Sequence, residues 1–239
     1  MSVAIVGATG AVGQALARRL YAQGSTPWLI GRSATALETL SQELGGAPTS
    51  VVDITQTADI AAALGGSNTP ADLRGLAYCA GDIVLKPLKR ATPADFQASF
   101  GLHVIGAAES LKGVESTLKK NGNASVVLFS TVAVQQGFAN HAVISAAKGA
   151  IEGLTRALSA ELAPKIRVNA IAPSISASAM AQPMLGKESM AQALAKSHPL
   201  GRVGKGEDSA ALAAFLLSDQ ASWITGQIIG VDGGRSAVA

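Results

Sequence analysis

The chain has a single cysteine, Cys79, among its 239 residues. An internal disulfide is excluded, which fits a reducing compartment. Charge is scarce as well: Asp, Glu, Lys and Arg make up 15% of the residues, against about a quarter in ordinary globular chains. The net charge is +3, and the basic residues are scattered. Only Arg18-Arg19, Lys89-Arg90 and Lys119-Lys120 stand side by side. A nucleic-acid surface needs a denser basic face, so no nucleic-acid partner is expected. No apolar run reaches the ~18 residues of a spanning helix, and the opening MSVAIVGATG lacks the basic start and long apolar core of a secretory signal. No metal-ligand set stands out. The expectation is a soluble, cytoplasmic protein with no membrane partner.

Hydrophobic residues, at 48%, are what the chain has in abundance. A chain of this length can bury most of its apolar surface without staples. Short apolar runs alternate with Ala- and Leu-rich helical stretches. The runs are VAIVG (3–7), PWLIG (27–31), SVVD (50–53), LAYCAG (76–81), SVVLFS (125–130), RVNAIAP (167–173) and QIIGVDGG (227–234). Near-continuous apolar strands separated by helices predict a parallel sheet covered on both faces, doubly wound because crossovers are right-handed. Thr92-Pro93-Ala94-Asp95 marks a helix start, with a hydroxyl cap, a proline in the first turn and an acid behind it. No composition break or linker divides the chain, so one domain over 1–239 is expected. The stretch 174–200 has weak periodicity and many Ser, Met and Pro residues, and reads as a flexible substrate flap.

Gly7, Gly10 and Gly13 lie between the first strand and the first helix. Such a turn brings backbone close to a pyrophosphate, and the helix N-terminus offers it free N–H groups. The competing reading, a merely tight connection, is set aside because three glycines remove side chains for no evident packing gain. Arg32 and Ser33 follow the second strand, where an acid would hold a ribose 2′-hydroxyl. A cation there favours NADP(H) over NAD(H). Asp53, after the third strand, has two readings: an acceptor for the adenine amino group, or the cap of a helix over ITQTADI.

The glycine turn, DIT (53–55), YCAG (78–81), GLTRALSAELAPKIRVNAIAP (153–173) and PLGRVGKGEDSAALAAFLLSDQASWITGQIIGVDGG (199–234) stand in the order found in the short-chain dehydrogenase/reductase family. The chain resembles that family over essentially its whole length. The resemblance implies a single Rossmann-like α/β domain with about seven strands and helices on both faces, a nicotinamide cofactor, and a homodimer or homotetramer built through helices around 92–118 and 141–162. It also implies cofactor contacts at Gly7, Thr9, Gly10, Val12, Gly13, Arg32, Ser33, Asp53, Ile54, Cys79, Ala80, Gly81, Lys148, Pro173, Ser174 and Ser178.

The family's catalytic set is Ser, Tyr, a Lys four residues after the Tyr, and an Asn on an earlier helix. Here Lys148 matches the Lys, but Ile144 stands at the Tyr position, Thr131 at the Ser position and His103 at the Asn position. Ser130 lies beside Thr131. Isoleucine cannot carry a proton, and losing a general acid typically costs ~10²–10⁴ in rate. His103 is a candidate replacement donor, weighed against a plain core histidine. Tyr21 and Tyr78 are too far from the expected carbonyl. Ser145 to Lys148 also matches S-x-x-K, a nucleophile–base pair in some acyl-transfer enzymes. The expectation is an NADP(H)-dependent oxidoreductase for a small, apolar carbonyl or alcohol. The alternatives are a non-catalytic NADP(H)-binding scaffold or sensor, and a lyase- or isomerase-like activity without net hydride transfer.

Overall fold

The computed structural model describes residues 1–238. Seven parallel strands form one sheet in the order β3-β2-β1-β4-β5-β6-β7. They are β1 (Ser2–Val6), β2 (Thr26–Gly31), β3 (Thr49–Val51), β4 (Leu73–Tyr78), β5 (Ala124–Phe129), β6 (Ile166–Pro173) and β7 (Ile228–Val231). The helices are α1 (Ala11–Ala22), α2 (Ala34–Glu43), α3 (Ile60–Leu64), α4 (Pro93–Phe100), α5 (Gly106–Asn121), α6 (Ala142–Leu162), α7 (Gln182–Leu185), α8 (Glu188–Lys196) and α9 (Gly206–Leu217).

β1 shows why the sheet is covered twice. All five of its residues are buried. Val3 and Ile5 pack with Leu16 and Leu20 of α1, Leu37 of α2 and Ala213 of α9, whereas Ala4 and Val6 pack with Ile60 of α3, Val114 of α5 and Ile151 of α6. Period-two side chains reach both layers, so no polar face is left and the strand reads as an unbroken apolar run. The strand order reverses between β1 and β4, and the crevice beyond the carboxyl ends of those strands is where doubly wound sheets bind ligands.

Several boundaries differ from the sequence reading. β4 ends at Tyr78, so Cys79, Ala80 and Gly81 leave the sheet. Its neighbour β1 stops at Val6, whose carbonyl takes a last bond from Cys79 N at 2.8 Å, and the ladder has no further partner. β7 ends at Val231 because Gly233 and Gly234 take positive φ and turn the chain. The stretch 174–200 holds two short helices, α7 and α8, where the sequence showed only weak periodicity. The start of α4 is as expected. Asp95 N donates to Thr92 Oγ1 at 3.2 Å and Thr92 N donates back to Asp95 Oδ2 at 2.9 Å, a reciprocal capping box.

Candidate functional site

The glycine turn is built by packing at two of its three positions. Gly7 has φ +81°, and a Cβ there would lie 2.6 Å from Ala80 N. A Cβ on Gly13 would lie 2.3 Å from Gly7 O. Neither position admits a side chain, ligand or no ligand, which corrects the expectation of no packing gain. Gly10 differs. Its nearest contact for an added Cβ is Gly7 O at 3.4 Å, and it borders a cleft of about 370 Å³. Gly10 is also the N-cap of α1, without a side-chain cap, so first-turn N–H groups of that helix face the cleft side.

The same cleft is lined by Val12, Cys79, Ala80, Gly81, His103, Thr131, Ile144, Lys148, Pro173, Ser174 and Ser178, all singled out from the sequence. Gly7, Thr9, Gly13, Arg32, Ser33, Asp53 and Ile54 lie outside its lining. Thr9 nonetheless sits beside the end of β2, its Oγ1 about as near as van der Waals contact to a Cβ built on Gly31. Arg32 is exposed, and Ser33 Oγ caps α2 by accepting from Ala36 N. Ile54 is buried in the core with Val52 and Ile60. Asp53 corrects the capping alternative: its Oδ1 accepts from Thr55 N at 3.0 Å and Thr55 Oγ1 at 2.8 Å, closing a turn rather than starting a helix. Those bonds hold its carboxyl below the usual range, with Arg32 adding to the effect. The helix begins only at Ile60, after Asp59.

Lys148 is 9% exposed. Its Nζ donates to the carbonyl of Phe129 at 2.7 Å. Burial pulls its pKa down to about 8, opposed by the charge of Asp82. Ile144, one turn earlier on α6, is 5% exposed and shares the cleft wall. Ser145 donates to Ala133 O at 3.0 Å and makes no pair with Lys148, so the S-x-x-K reading is overturned: the two side chains serve different carbonyls. Ser130 is turned away, donating to the buried Glu152 carboxylate at 2.9 Å. Thr131 Oγ1 donates to Pro173 O at 3.4 Å and accepts from Ala133 N at 3.3 Å.

His103 lies in a π-helical turn, Gly101–Ile105, inserted between α4 and α5; such bulges recur at functional sites. The imidazole is 1% exposed, and Nε2 is 3.0 Å from Asp82 Oδ1. The carboxylate accepts, so Nε2 carries the proton and Nδ1 is left with its lone pair. Nδ1 is buried without a partner. Burial lowers the pKa of His103, Asp82 pulling the other way, which leaves the ring neutral. Gly81 makes this packing possible, because a Cβ there would lie 2.7 Å from His103 Cε1. Burial also pushes the Cys79 thiol up to about 12, with Lys148 opposing, so this cysteine is no nucleophile. Tyr78 is buried and donates to Leu102 O.

Sequence reasoning missed Asp82, Glu152, His198 and Arg235. Asp82 directly follows YCAG, and Glu152 stands four residues after Lys148 on the same helix face, so both left a spacing signal. His198 left none. Its Nδ1 donates to Leu194 O at 2.7 Å, and its Nε2 lies 2.8 Å from Ser174 Oγ, at the edge of a second cavity of about 320 Å³. Ser178 Oγ caps a short turn by accepting from Ala181 N.

A doubly wound parallel sheet, with a cleft at its switch point holding a glycine-flanked helix N-terminus and a buried lysine, defines a Rossmann-like nucleotide-binding architecture. Residues 7–236 match the family described as enoyl-(acyl carrier protein) reductase. An L-xylulose reductase of Bos taurus is 32% identical over 96% of this chain and 94% of its own. A protein of Xanthobacter autotrophicus named inactive 2-(S)-hydroxypropyl-CoM dehydrogenase 2 is 34% identical over 93% of this chain and 100% of its own. Among solved structures, one described as an NAD(P) dependent gluconate 5-dehydrogenase of Beutenbergia cavernae, with bound NADP at low occupancy, superposes with a TM-score of 0.92. It is 26% identical and covers 99% of this chain and 96% of its own. The chain belongs to the short-chain dehydrogenase/reductase family.

Proposed function

We propose that this protein is an NADP(H)-dependent oxidoreductase for a small carbonyl or alcohol, with an atypical active site. The observation that carries the reading is Lys148: a buried ammonium in a cleft that also opens on Gly10 and the first turn of α1. Burying a charge is costly, and a ligand bearing hydroxyls and phosphates is what offsets it. The cleft fits a dinucleotide, since Gly10 leaves the space that a side chain would otherwise fill. Gly10 and Val12 would face the pyrophosphate, Arg32 and Ser33 a 2′-phosphate, Lys148 the nicotinamide ribose, and Pro173 to Ser178 the carboxamide. The cofactor supplies the hydride chemistry.

The chain's own residues must then handle the proton. Thr131 keeps a hydroxyl beside the cleft, where it can donate to a carbonyl oxygen. Asp82 holds His103 in one tautomer, the relation in which a carboxylate orients an imidazole and leaves its second nitrogen as a base. The neutral Nδ1 of His103 has no other partner. The segment 174–200 covers the cleft with Met180, Met184 and Leu194, which suits an apolar substrate body. Phe100 and Ile105, exposed on the α4–α5 side, belong to the surface through which a homodimer or homotetramer would form; light scattering that returns a monomer at micromolar concentration counts against it.

A second reading, a non-catalytic NADP(H)-binding protein, is favoured by Ile144, which puts no proton donor where the family has one. Calorimetric titration with NADPH and NADH, beside turnover of a carbonyl and alcohol panel, separates the two. Tighter NADPH binding that weakens in Arg32→Ala supports the cofactor assignment. Tighter NADH binding, or an unchanged preference in the variant, refutes it. Binding without turnover selects the second reading.

A further inference from the structure

Four basic side chains line the cleft, His103, His141, Lys148 and Arg235, and one acid, Asp82. That acid is engaged by His103. His103 and Lys148 belong to the interior already described. Arg235 and His141 flank Phe138. The guanidinium carbon of Arg235 stands 4.5 Å from the centroid of the Phe138 ring, and His141 meets the same ring edge-on at 5.4 Å.

Arg235 is held in place by groups that do not neutralise it. Asp232, three residues earlier, is the nearest acid in the chain. Its Oδ1 accepts from Gly234 N at 3.0 Å, and its Oδ2 accepts from Ser236 N at 2.8 Å and from Ser236 Oγ. These bonds fix the turn that carries Arg235 and leave the carboxylate occupied. Gln136 Nε2 donates to Arg235 O at 3.4 Å, tying that turn to the loop that bears Phe138. Among the described residues the guanidinium pairs with no carboxylate. An arginine stacked by one face on an aromatic ring keeps its N–H edges for an in-plane partner, and a planar carboxylate matches that fork. The Phe138 ring under it and the apolar side chains elsewhere in the cleft lining, Ile144 and Met184 among them, lower the dielectric of the cleft, which strengthens such a contact.

We propose that Arg235 selects the substrate by its charge: the cleft takes a carbonyl compound with an apolar body that ends in a carboxylate, and the guanidinium binds that end. The carbonyl half of this statement rests on the oxidoreductase reading above, whereas the carboxylate half rests on Arg235 alone.

The test uses two probes that share a methyl ketone and differ in the charged end, 4-oxopentanoate and 2-pentanone. Each is titrated calorimetrically into the protein saturated with NADP⁺, where a ketone cannot react, and into the protein without cofactor. The oxoacid is expected to bind at least about tenfold more tightly than the ketone, the scale of one charge-assisted hydrogen-bonded contact. The gap should close to about twofold or less in Arg235→Gln, be partly restored in Arg235→Lys, and narrow as salt is raised. Equal affinities in the parent protein, no measurable binding of either probe, or a gap that survives Arg235→Gln each overturns the proposal. Failure to bind NADP⁺ while the oxoacid preference persists overturns the oxidoreductase reading and leaves the anion site standing.

Discussion

The ammonium of Lys148 is tied to the main chain of β5, donating to the carbonyl of Phe129 at 2.7 Å. That single bond positions a buried charge against the cleft without a direct carboxylate partner. Burial holds its pKa near 8 against an ordinary value of 10.5, and the pH dependence of stability follows. Below pH 8 the lysine is charged in both folded and unfolded chains, and the burial penalty is fully present. Between about 8 and 10.5 the unfolded chain binds more protons than the folded one, so stability rises with pH. The rise amounts to roughly 3 kcal/mol at most. Urea unfolding of the parent and of Lys148→Met between pH 7 and 10 should show the parent gaining on the variant as pH increases. A constant difference would mean that this lysine titrates normally.

The three glycines of the first turn should behave differently when replaced. Gly7→Ala forces a Cβ against Ala80 N in a left-handed conformation, and Gly13→Ala forces one against Gly7 O. Each should cost on the order of 2–4 kcal/mol, from strain and overpacking. Gly10→Ala meets nothing closer than 3.4 Å and should cost less than about 1 kcal/mol, yet weaken cofactor binding by filling the approach to α1. Thermal melts and NADPH titrations of the three variants decide it. A Gly10→Ala protein that binds NADPH as tightly as the parent removes the argument from that glycine.

Ser130 and Thr131 are neighbours with separate duties. Ser130 satisfies the Glu152 carboxylate, which is 5% exposed. Ser130→Ala strands Glu152 Oε1, since Arg156 approaches only Oε2 at 3.7 Å, and should cost about 1–3 kcal/mol with no loss of cofactor affinity. Thr131→Val should leave the melting temperature nearly unchanged while lowering any turnover. If Ser130→Ala instead leaves stability untouched, water replaces the hydroxyl at Glu152.

The sheet was legible because β1 and β5 are nearly continuous apolar runs and β4 and β6 are interrupted only by Arg74, Arg167 and Asn169, the pattern of a parallel sheet covered on both faces. The positions of Lys148, Ile144, Thr131 and His103 in one cleft followed from their order along a recognised pattern. The hydrogen-bond partners of Asp53, Ser145 and Lys148 were not legible because partners within two to twenty residues depend on where each helix starts and how it rotates, which spacing leaves open. Arg235, His198 and Asp82 acquire their neighbours across 97, 4 to 24 and 21 residues of chain respectively. The stacking of Arg235 on Phe138 and the contact of His198 with Ser174 are set by the fold rather than by any local pattern.

Ile144 decides between a slow enzyme and a binder. It is buried on the cleft wall one turn before Lys148, with Thr131 in the same lining. A phenol placed there by Ile144→Tyr would stand beside an ammonium that favours its ionised form and a hydroxyl that can hold a carbonyl oxygen. Reductase activity with NADPH should therefore rise, approaching ~10²–10⁴-fold only if the cleft admits the ring. The check is kcat on a panel of small ketones, with NADPH affinity measured in parallel so that misfolding is not read as lost chemistry. A smaller gain accompanied by weaker cofactor binding would point to overpacking against the nicotinamide side. The opposite outcome is equally specific. If the parent already turns over quickly and His103→Ala abolishes that activity while NADPH still binds, the proton passes through His103, which takes one up from solvent at Nδ1 before giving it to the carbonyl oxygen with Asp82 behind it, and Ile144 is no handicap.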